Sequence, residues 1–393
     1  MIQLGPEWQK RLVDIMENDE LAAQPPATLS LFMIVKNEEK TLARVLNAAK
    51  QFCDEMIVVD TGSTDRTVEI AKECGAETFF FQWRDDFAAA RNYAMGKCKS
   101  QWTVWLDADD VIPDESIKAI QKLKRTLLLN KEYNTVFAPY HYEYNEQGNV
   151  AVNLNRERFL RNYVGHKWVG RIHETLAAPW EKSVRVEEVI IEHRTADELK
   201  DRKKGRNLRI FEQYLDIEKD SLRELFLYGS ELQAVERHED AIKVYQTYLR
   251  RVGNQIDGVG ERYSVLMKMA DTYYGMKKIP EAIGMCTDCI RLDPNRAEGY
   301  TILGAILYFS GFHLQAMPLF AAAMLCTIPP PNVSLVVQKL YFDLPAQLIV
   351  EGAVKMKSLH TIERFLQIAS SLEKVIPQVQ DAILKAEEPV VAP

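Results

Sequence analysis

An Asp-Ala-Asp triplet, Asp107 to Asp109, closes the apolar run Trp102 to Leu106. On a strand, residues i and i+2 point to one side, so Asp107 and Asp109 are expected to set two carboxylates together at a sheet edge. Such a pair repels itself unless a cation or a hydroxyl donor lies between. A hard divalent metal suits it, and that metal in turn suits a diphosphate. Asp60 closes a second apolar run, ahead of the turn Thr61 to Asp65. A carboxylate there can accept from ribose hydroxyls or a base N–H. The competing role for Asp60 and Asp65 is helix capping, and we assign the cap to Asp65. Asp85 and Asp86 precede Ala88-Ala89-Ala90-Arg91. Three alanines permit close helix packing, and Arg91 then projects toward a crevice where it can hold phosphate bidentately. A solvated surface arginine is the alternative.

These residues need elements to carry them. Leu29 to Val35, Glu55 to Asp60, Glu77 to Phe81 and Gln101 to Asp110 are apolar or acid-ended runs of strand length. Between them lie helical stretches, Glu39 to Ala49, Thr67 to Cys74 and Asp86 to Lys97. Strands alternating with helices mean βαβ units and a parallel sheet, whose ligands bind beyond the carboxyl ends of the strands. Those ends carry Lys36, Asn37 and Glu38, then Asp60, Asp85, and the acidic triplet. Residues 133 to 193 are richer in β pattern: a hairpin turning at Asn145 to Asn149, then a strand region Ser183 to His193.

The C-terminal half is helical and repeats. Gly229 and Ala241, Ala270 and Ala282, and Gly304 and Ala316 are each 12 apart, and the last two pairs are offset by 34 residues. Small residues there let two helices cross closely, and Pro294 ends one of them. Pattern and period are those of tetratricopeptide repeats. The expected organisation is an N-terminal helix and linker over 1–28, an α/β domain over 29–210, repeats over 211–330, and a helical cap with a disordered tail over 331–393.

The 393 residues carry a net charge of −7, with 47% hydrophobic and 27% charged residues, the balance of a soluble globular chain. Residues 29–210 are nearly neutral, with 29 basic and 28 acidic side chains. A uniformly basic nucleic-acid binder is excluded. No run approaches the ~18 apolar residues of a membrane helix, so no membrane insertion is expected. The six cysteines form no disulfide framework, and Cys286 and Cys289 fit one packed helix face better than a metal site. A cytoplasmic location is the default.

Taken in order, FMIVKNEEKTL, IVVDTGSTDRT, WRDDFAAARNYA and WTVWLDADD resemble glycosyltransferase family 2, of the GT-A fold. RFLRNYVGHKWVGRIHE and RKKGRNLR ahead of helical repeats resemble its tetratricopeptide-bearing members, so the likeness covers about residues 29–330. A GT-A domain (a Rossmann-like mixed sheet) followed by an all-α repeat domain is what it implies. The implied cofactors are Mn2+ or Mg2+ and a UDP-sugar donor, UDP-glucose first. By the same resemblance Asp60 contacts uracil or ribose, Asp107 faces ribose and metal, Asp109 binds the metal, and Arg91 supports the nucleotide. Inversion in one displacement needs a general base, assigned to Glu174 with His173 second. His193 completes the metal shell, and Lys203, Lys204 and Arg206 clamp the leaving diphosphate. Packed or solvated roles are the alternatives for these last four.

The motifs speak to the donor, not the acceptor. A peptide or protein suits a repeat groove. A DNA carrying a hydroxymethylated base is the second reading. It rests on the basic, aromatic-interleaved stretch Arg156 to Arg171, with Phe159, Tyr163 and Trp168. An envelope saccharide is the third, and a non-catalytic repeat scaffold is the alternative to an enzyme. Repeats can also build a homodimer. No G-x-G-x-x-G follows the first strand, which counts against a dinucleotide-binding dehydrogenase.

Overall fold

Seven residues, Leu29–Val35, form β1, buried at every position but Ile34. Leu29, Leu31, Met33 and Val35 join one apolar cluster and Phe32 the other, so the period-2 alternation gives the sheet two covered faces. The computed structural model describes residues 25–125, 127–129, 131–144, 148, 150–178, 182–194, 205–253, 259–328 and 340–356. The chain divides into two units, Met1–Ile210 and Phe211–Pro393. The expected helix over residues 1–24, with Lys203, Lys204 and most of 331–393, lies outside the described residues.

In the first unit α1 (Leu42–Ala49) buries Leu42, Val45, Leu46 and Ala49, one helical face. Then follow β2 (Glu55–Asp60), α2 (Thr67–Glu73) and β3 (Glu77–Phe80). Next, α3 (Phe87–Met95) is capped by the Asp86 carboxylate, which accepts the Ala89 N–H at 2.8 Å. Its Ala88, Ala90 and Ala94 pack into the cluster holding Phe32, Ile57 and Val59; the small side chains let the helix lie close to the sheet and bring Arg91 near the strand ends.

β4 (Trp102–Trp105) precedes β5 (Asp110–Val111), α4 (Asp114–Arg125) and the long hairpin β6 (Thr135–Tyr144) and β7 (Val150–Arg161). A separate ribbon pairs β8 (Lys167–Val169) with β9 (Thr175–Ala177), and β10 (Ser183–Arg185) and β11 (Ile191–His193) end the unit's strands. The sheet order is β3-β2-β1-β4-β7-β6-β11-β5, with β10 also on β6. β1 to β4 are parallel to one another, β7 is antiparallel to β4 and β6, and β11 runs antiparallel to β5. The expected mixed sheet is present.

Three local expectations are corrected. The strand ending in acid stops at Trp105, so Asp107 and Asp109 sit in a turn and not side by side on a strand. Asp110 N–H donates to the Asp107 carbonyl at 3.1 Å, and the Asp107 N–H donates to Asp110 Oδ2 at 2.9 Å. The turn thus satisfies its own polar groups where a ladder would otherwise be needed. The region Ser183 to His193 is two strands, not one. Its inward residues are Val184, Val186, Val189 and Ile191; the step of three from Val186 to Val189 breaks the strand period. The helix expected from Glu39 begins at Leu42, after a turn in which Thr41 and Leu42 N–H groups both donate to the Glu38 carbonyl.

The second unit is helical. α5 (Arg206–Tyr214) spans the boundary between the units, and α6 (Leu222–Ala234) starts on a capping box, Ser221 with Glu224. Hairpins follow: α6 with α7 (His238–Val252), α8 (Val259–Gly275) with α9 (Ile279–Leu292), and α10 (Ala297–Phe309) with α11 (His313–Leu325). A Cβ on Gly229 would collide with the Tyr245 ring, and one on Gly304 would lie 2.6 Å from Phe320. Ala241, Ala270, Ala282 and Ala316 are fully buried. The small residues of the repeat therefore stand where the helices cross. α12 (Asp343–Lys355) packs on the last hairpin. Cys286 and Cys289 are both buried in α9, as expected of a packed face. No described helix is long and apolar enough to cross a membrane.

Candidate active site

Arg91 lies at the centre of the strand ends. Its side chain is 7% exposed; Nε donates to Glu174 Oε1 at 2.6 Å and Nη2 donates to Asp107 Oδ1 at 2.9 Å. The guanidinium lies over the rings of Trp105 and Trp168, 4.6 and 5.2 Å from their centroids, a cation–π seat. Burial opposes its charge, yet the two carboxylates more than restore it. Nη1 of Arg91 and Nε1 of Trp168 are buried without hydrogen-bond partners. Next along α3, Asn92 holds the backbone N–H and carbonyl of Trp168. Two consecutive helical residues thereby fasten the β8–β9 ribbon over the sheet edge and bring Glu174 to the acidic turn.

Burial works to raise the Asp107 carboxyl, but Arg91, Arg158 and Arg156 outweigh it and hold it down at about 2. Asp109 turns the other way. Its Oδ1 is 3.5 Å from His193 Nδ1, and its backbone carbonyl accepts from Arg44. The register explains the meeting: His193 on β11 stands opposite Asp110 on β5. Ligand atoms of Asp109, Asp110 and His193 all lie within 4.8 Å of one another. Asp107 is not one of this group. Asp110, fully buried, accepts from Tyr140 Oη at 3.0 Å and pairs with Arg158 at 3.2 Å; burial pushes its carboxyl up to about 7 against the pull of Arg158. With Asp110 so engaged, Asp109 and His193 are the pair that fits a hard cation, and Asp107 is the next carboxylate along the turn.

Asp60 is buried, and its carboxylate accepts the N–H groups of Gly62 and Ser63 at 3.0–3.2 Å. Asp65 accepts the Thr67 N–H at 3.0 Å at the start of α2. Asn37 braces the same turn: its N–H donates to Ser63 Oγ and its Oδ1 accepts the Thr64 N–H at 2.7 Å. The Glu38 N–H donates to Thr67 Oγ1, while Lys36 is exposed. Asp85 accepts from Trp83 Nε1 and from both Nη groups of Arg209; chiefly that arginine holds its carboxyl below the usual range. Arg206 lies over the Phe87 ring at 4.7 Å. His173 is exposed in a left-handed turn, φ 49°, whereas Glu174 points in, 12% exposed.

Three site residues escaped the sequence reading: Asp110, Tyr140 and Arg158. The third acid of the run DADD and the tyrosine alternation Tyr140, Tyr142 and Tyr144 were the signals for the first two, and Arg158 stood within the basic stretch Arg156 to Arg171 without a role of its own. The basic stretch behind the DNA reading is divided: Lys167 and Arg171 are exposed, Arg156 and Arg161 half-buried, and Arg158 interior. Arg158 is fully buried between Trp105 and Tyr140, at 3.9 and 4.3 Å. Arg161 lies over Trp102 at 4.6 Å, and Phe159 and Trp168 are core residues, whereas Tyr163 is exposed.

Residues 30–174, which lie within the first unit and form most of its mixed sheet, match the family described as Glycosyl transferase family 2. Among curated proteins, the SPbeta prophage-derived glycosyltransferase SunS of Bacillus subtilis is 29% identical over 248 residues, 60% of this chain and 57% of that protein. A TPR repeat-containing protein of Synechococcus elongatus is 49% identical over 84 residues, 21% of each chain. This chain thus spans little more than half of SunS and about a fifth of the second protein. Among solved structures, Mycobacterium tuberculosis glucosyl-3-phosphoglycerate synthase with Mn2+ and UDP-glucose matches at 17% identity and TM-score 0.36, over 49% of this chain and 80% of that one.

Proposed function

We propose that the chain is a metal-dependent inverting glycosyltransferase that moves a hexose from a UDP-sugar, glucose first, to a peptide or protein. The observation that carries this reading is Arg91, which ties Asp107 to Glu174 at the strand ends and keeps a buried, unpaired Nη1 beside them. A buried donor without an acceptor is costly, and an oxygen of a donor diphosphate would satisfy it. Asp109 and His193, with Asp107, would hold Mn2+ or Mg2+. Such a cation supplies charge neutralisation for the departing diphosphate.

The displacement asks little else of the protein. Glu174 gives Oε1 to Arg91 and keeps Oε2 for a proton. It takes that proton from the acceptor nucleophile as the nucleophile bonds to the anomeric carbon. The bond from that carbon to the diphosphate oxygen breaks, and its electron pair leaves with the diphosphate. Glu174 is preferred to His173 because it points into the site. Asp60, whose carboxylate is already fixed by two backbone N–H groups, is assigned to ribose or uracil. Lys36, Asp85 and Arg206 stay at the rim of the donor pocket in this reading. A peptide or protein is favoured over DNA because Arg158, Phe159 and Trp168 of the basic, aromatic stretch are core residues and the second unit is built of repeats.

The test is thermal shift and donor hydrolysis across UDP- and GDP-sugars, with and without Mn2+, on wild type and Glu174→Gln. Metal-dependent binding of one donor by both proteins, with turnover lost only in the variant, supports the reading. Equal turnover removes Glu174 as base. Absence of any nucleotide-sugar binding sinks the enzyme and leaves the repeat scaffold.

A further inference from the structure

Strand register sets an aromatic ring beside the candidate cation site. β11 runs parallel to β6 with Glu192 opposite His141, so the next residues, His193 and Tyr142, are neighbours. Their rings stack at 8°, with 5.1 Å between centroids. The ladder of β6 on β7 shifts between His141 and Glu143. Tyr142 is thus the extra residue of a bulge, a device that re-aims a side chain beside a site. The imidazole covers one face of the ring, yet 41% of Tyr142 is exposed, whereas Tyr140 two residues before it is buried. Asp60, at the end of β2, is four strands away in the order β2-β1-β4-β7-β6. At a strand spacing of about 4.8 Å that is roughly 19 Å, too far for Tyr142 to touch a uracil held by Asp60.

In the proposed donor reading, on which this inference rests, the cation holds the diphosphate, and the anomeric carbon is one oxygen away from that diphosphate. In-line displacement with inversion places the acceptor on the opposite side of the anomeric carbon from the leaving group. Of the two reacting sugars or side chains, the hexose is therefore the one beside the cation, and Tyr142 is the exposed ring stacked on a cation ligand. A pyranose carries C–H groups on its faces and hydroxyls round its rim. An aromatic ring covers such a face without needing a hydrogen bond, and a tyrosine keeps a polar tip for the rim. We infer that Tyr142 is the platform on which the transferred hexose lies, a specificity-determining residue that binds the sugar and not the nucleotide.

The experiment measures affinities for UDP and for UDP-glucose, or whichever UDP-hexose the wild type binds tightest, by calorimetry in Mn2+. The proteins are the full-length wild type, Tyr142→Ala and Tyr142→Phe, with melting temperatures as the check on folding. Tyr142→Ala is expected to weaken the UDP-hexose by roughly 10-fold and to leave UDP unchanged. Tyr142→Phe keeps the ring and is expected to restore the affinity that the alanine loses. An equal loss for UDP and UDP-hexose means that the ring acts only through His193, and it overturns the platform. Undiminished UDP-hexose affinity in Tyr142→Ala overturns it too, as does a phenylalanine variant no better than the alanine one. A wild type that binds UDP but no UDP-hexose overturns the hexose platform alone; one that binds neither overturns the donor reading beneath it.

Discussion

Each unit holds a buried arginine on an aromatic ring beside a buried glutamate, and the two are built differently. In the helical unit Arg296, 3% exposed, lies over Tyr263 at 4.0 Å and bonds Glu298 through Nε and Nη2; Tyr341 Oη donates to the same glutamate at 2.8 Å. Its main partner is two residues away, and its nitrogens are absent from the buried unpaired atoms. Arg91 reaches carboxylates 16 and 83 residues away and keeps Nη1 unpaired. The Arg296 network is closed, with its charge met by a carboxylate two residues away. The Arg91 network draws both carboxylates from distant segments and keeps an unmet donor, which the proposed donor diphosphate would satisfy.

That contrast can be broken most directly at the acidic turn. Asp109→Ala is expected to lower turnover by roughly 1000-fold or more and to abolish Mn2+-dependent donor binding, with the melting temperature little changed. Calorimetry and donor hydrolysis check this; wild-type turnover would refute the metal assignment.

Removing one arginine from each network separates the two further. Arg91→Met leaves two carboxylates without their cation and is expected to cost about 3 kcal/mol along with donor binding. Arg296→Met is expected to cost a similar amount in chemical denaturation yet leave donor binding intact. Replacing the closed pair whole, Arg296→Met with Glu298→Leu, recovers most of that loss. Replacing Arg91 and Glu174 together recovers stability but no activity.

Gly304→Ala tests packing alone. Its methyl meets the Phe320 ring, so a loss of about 1–3 kcal/mol in thermal unfolding with unchanged donor binding is expected.

The smallest effect is in pH. His166 is buried; its ring lies between Thr135 Oγ1 at 2.9 Å and the Arg161 carbonyl at 3.0 Å, and burial lowers its pKa. A depressed folded pKa gives stability that is present above the unfolded value, about 6.5, and is lost as pH falls below it. Wild type is expected to lose stability below pH 6.5 more steeply than His166→Gln, read from melting temperatures across pH 8 to 5.

Much of the architecture was legible because its signals are local. The apolar run of β1, the alternation of strand-length runs with helical stretches and the 34-residue repeat are local patterns, and local geometry obeys them. The expectations that failed did so where parity changed, at Val186 to Val189, or where a turn satisfied its own polar groups, at Asp107 to Asp110. Asp110, Arg158 and Tyr140 were invisible for a related reason. Each is an ordinary strand or turn residue until β5, β7 and β11 take their places around β6 and its neighbours.

The sequence by itself determined which residues stand at strand ends and which small residues stand at helix crossings, since chain geometry puts them there whatever else happens. Only the tertiary structure decided who meets whom. The antiparallel register of β11 on β5 set His193 against the acidic turn, and close packing of an alanine-rich helix let Arg91 join Asp107 to Glu174. Charges in a buried site are stable only when such distant partners arrive together, and no local pattern encodes that arrival.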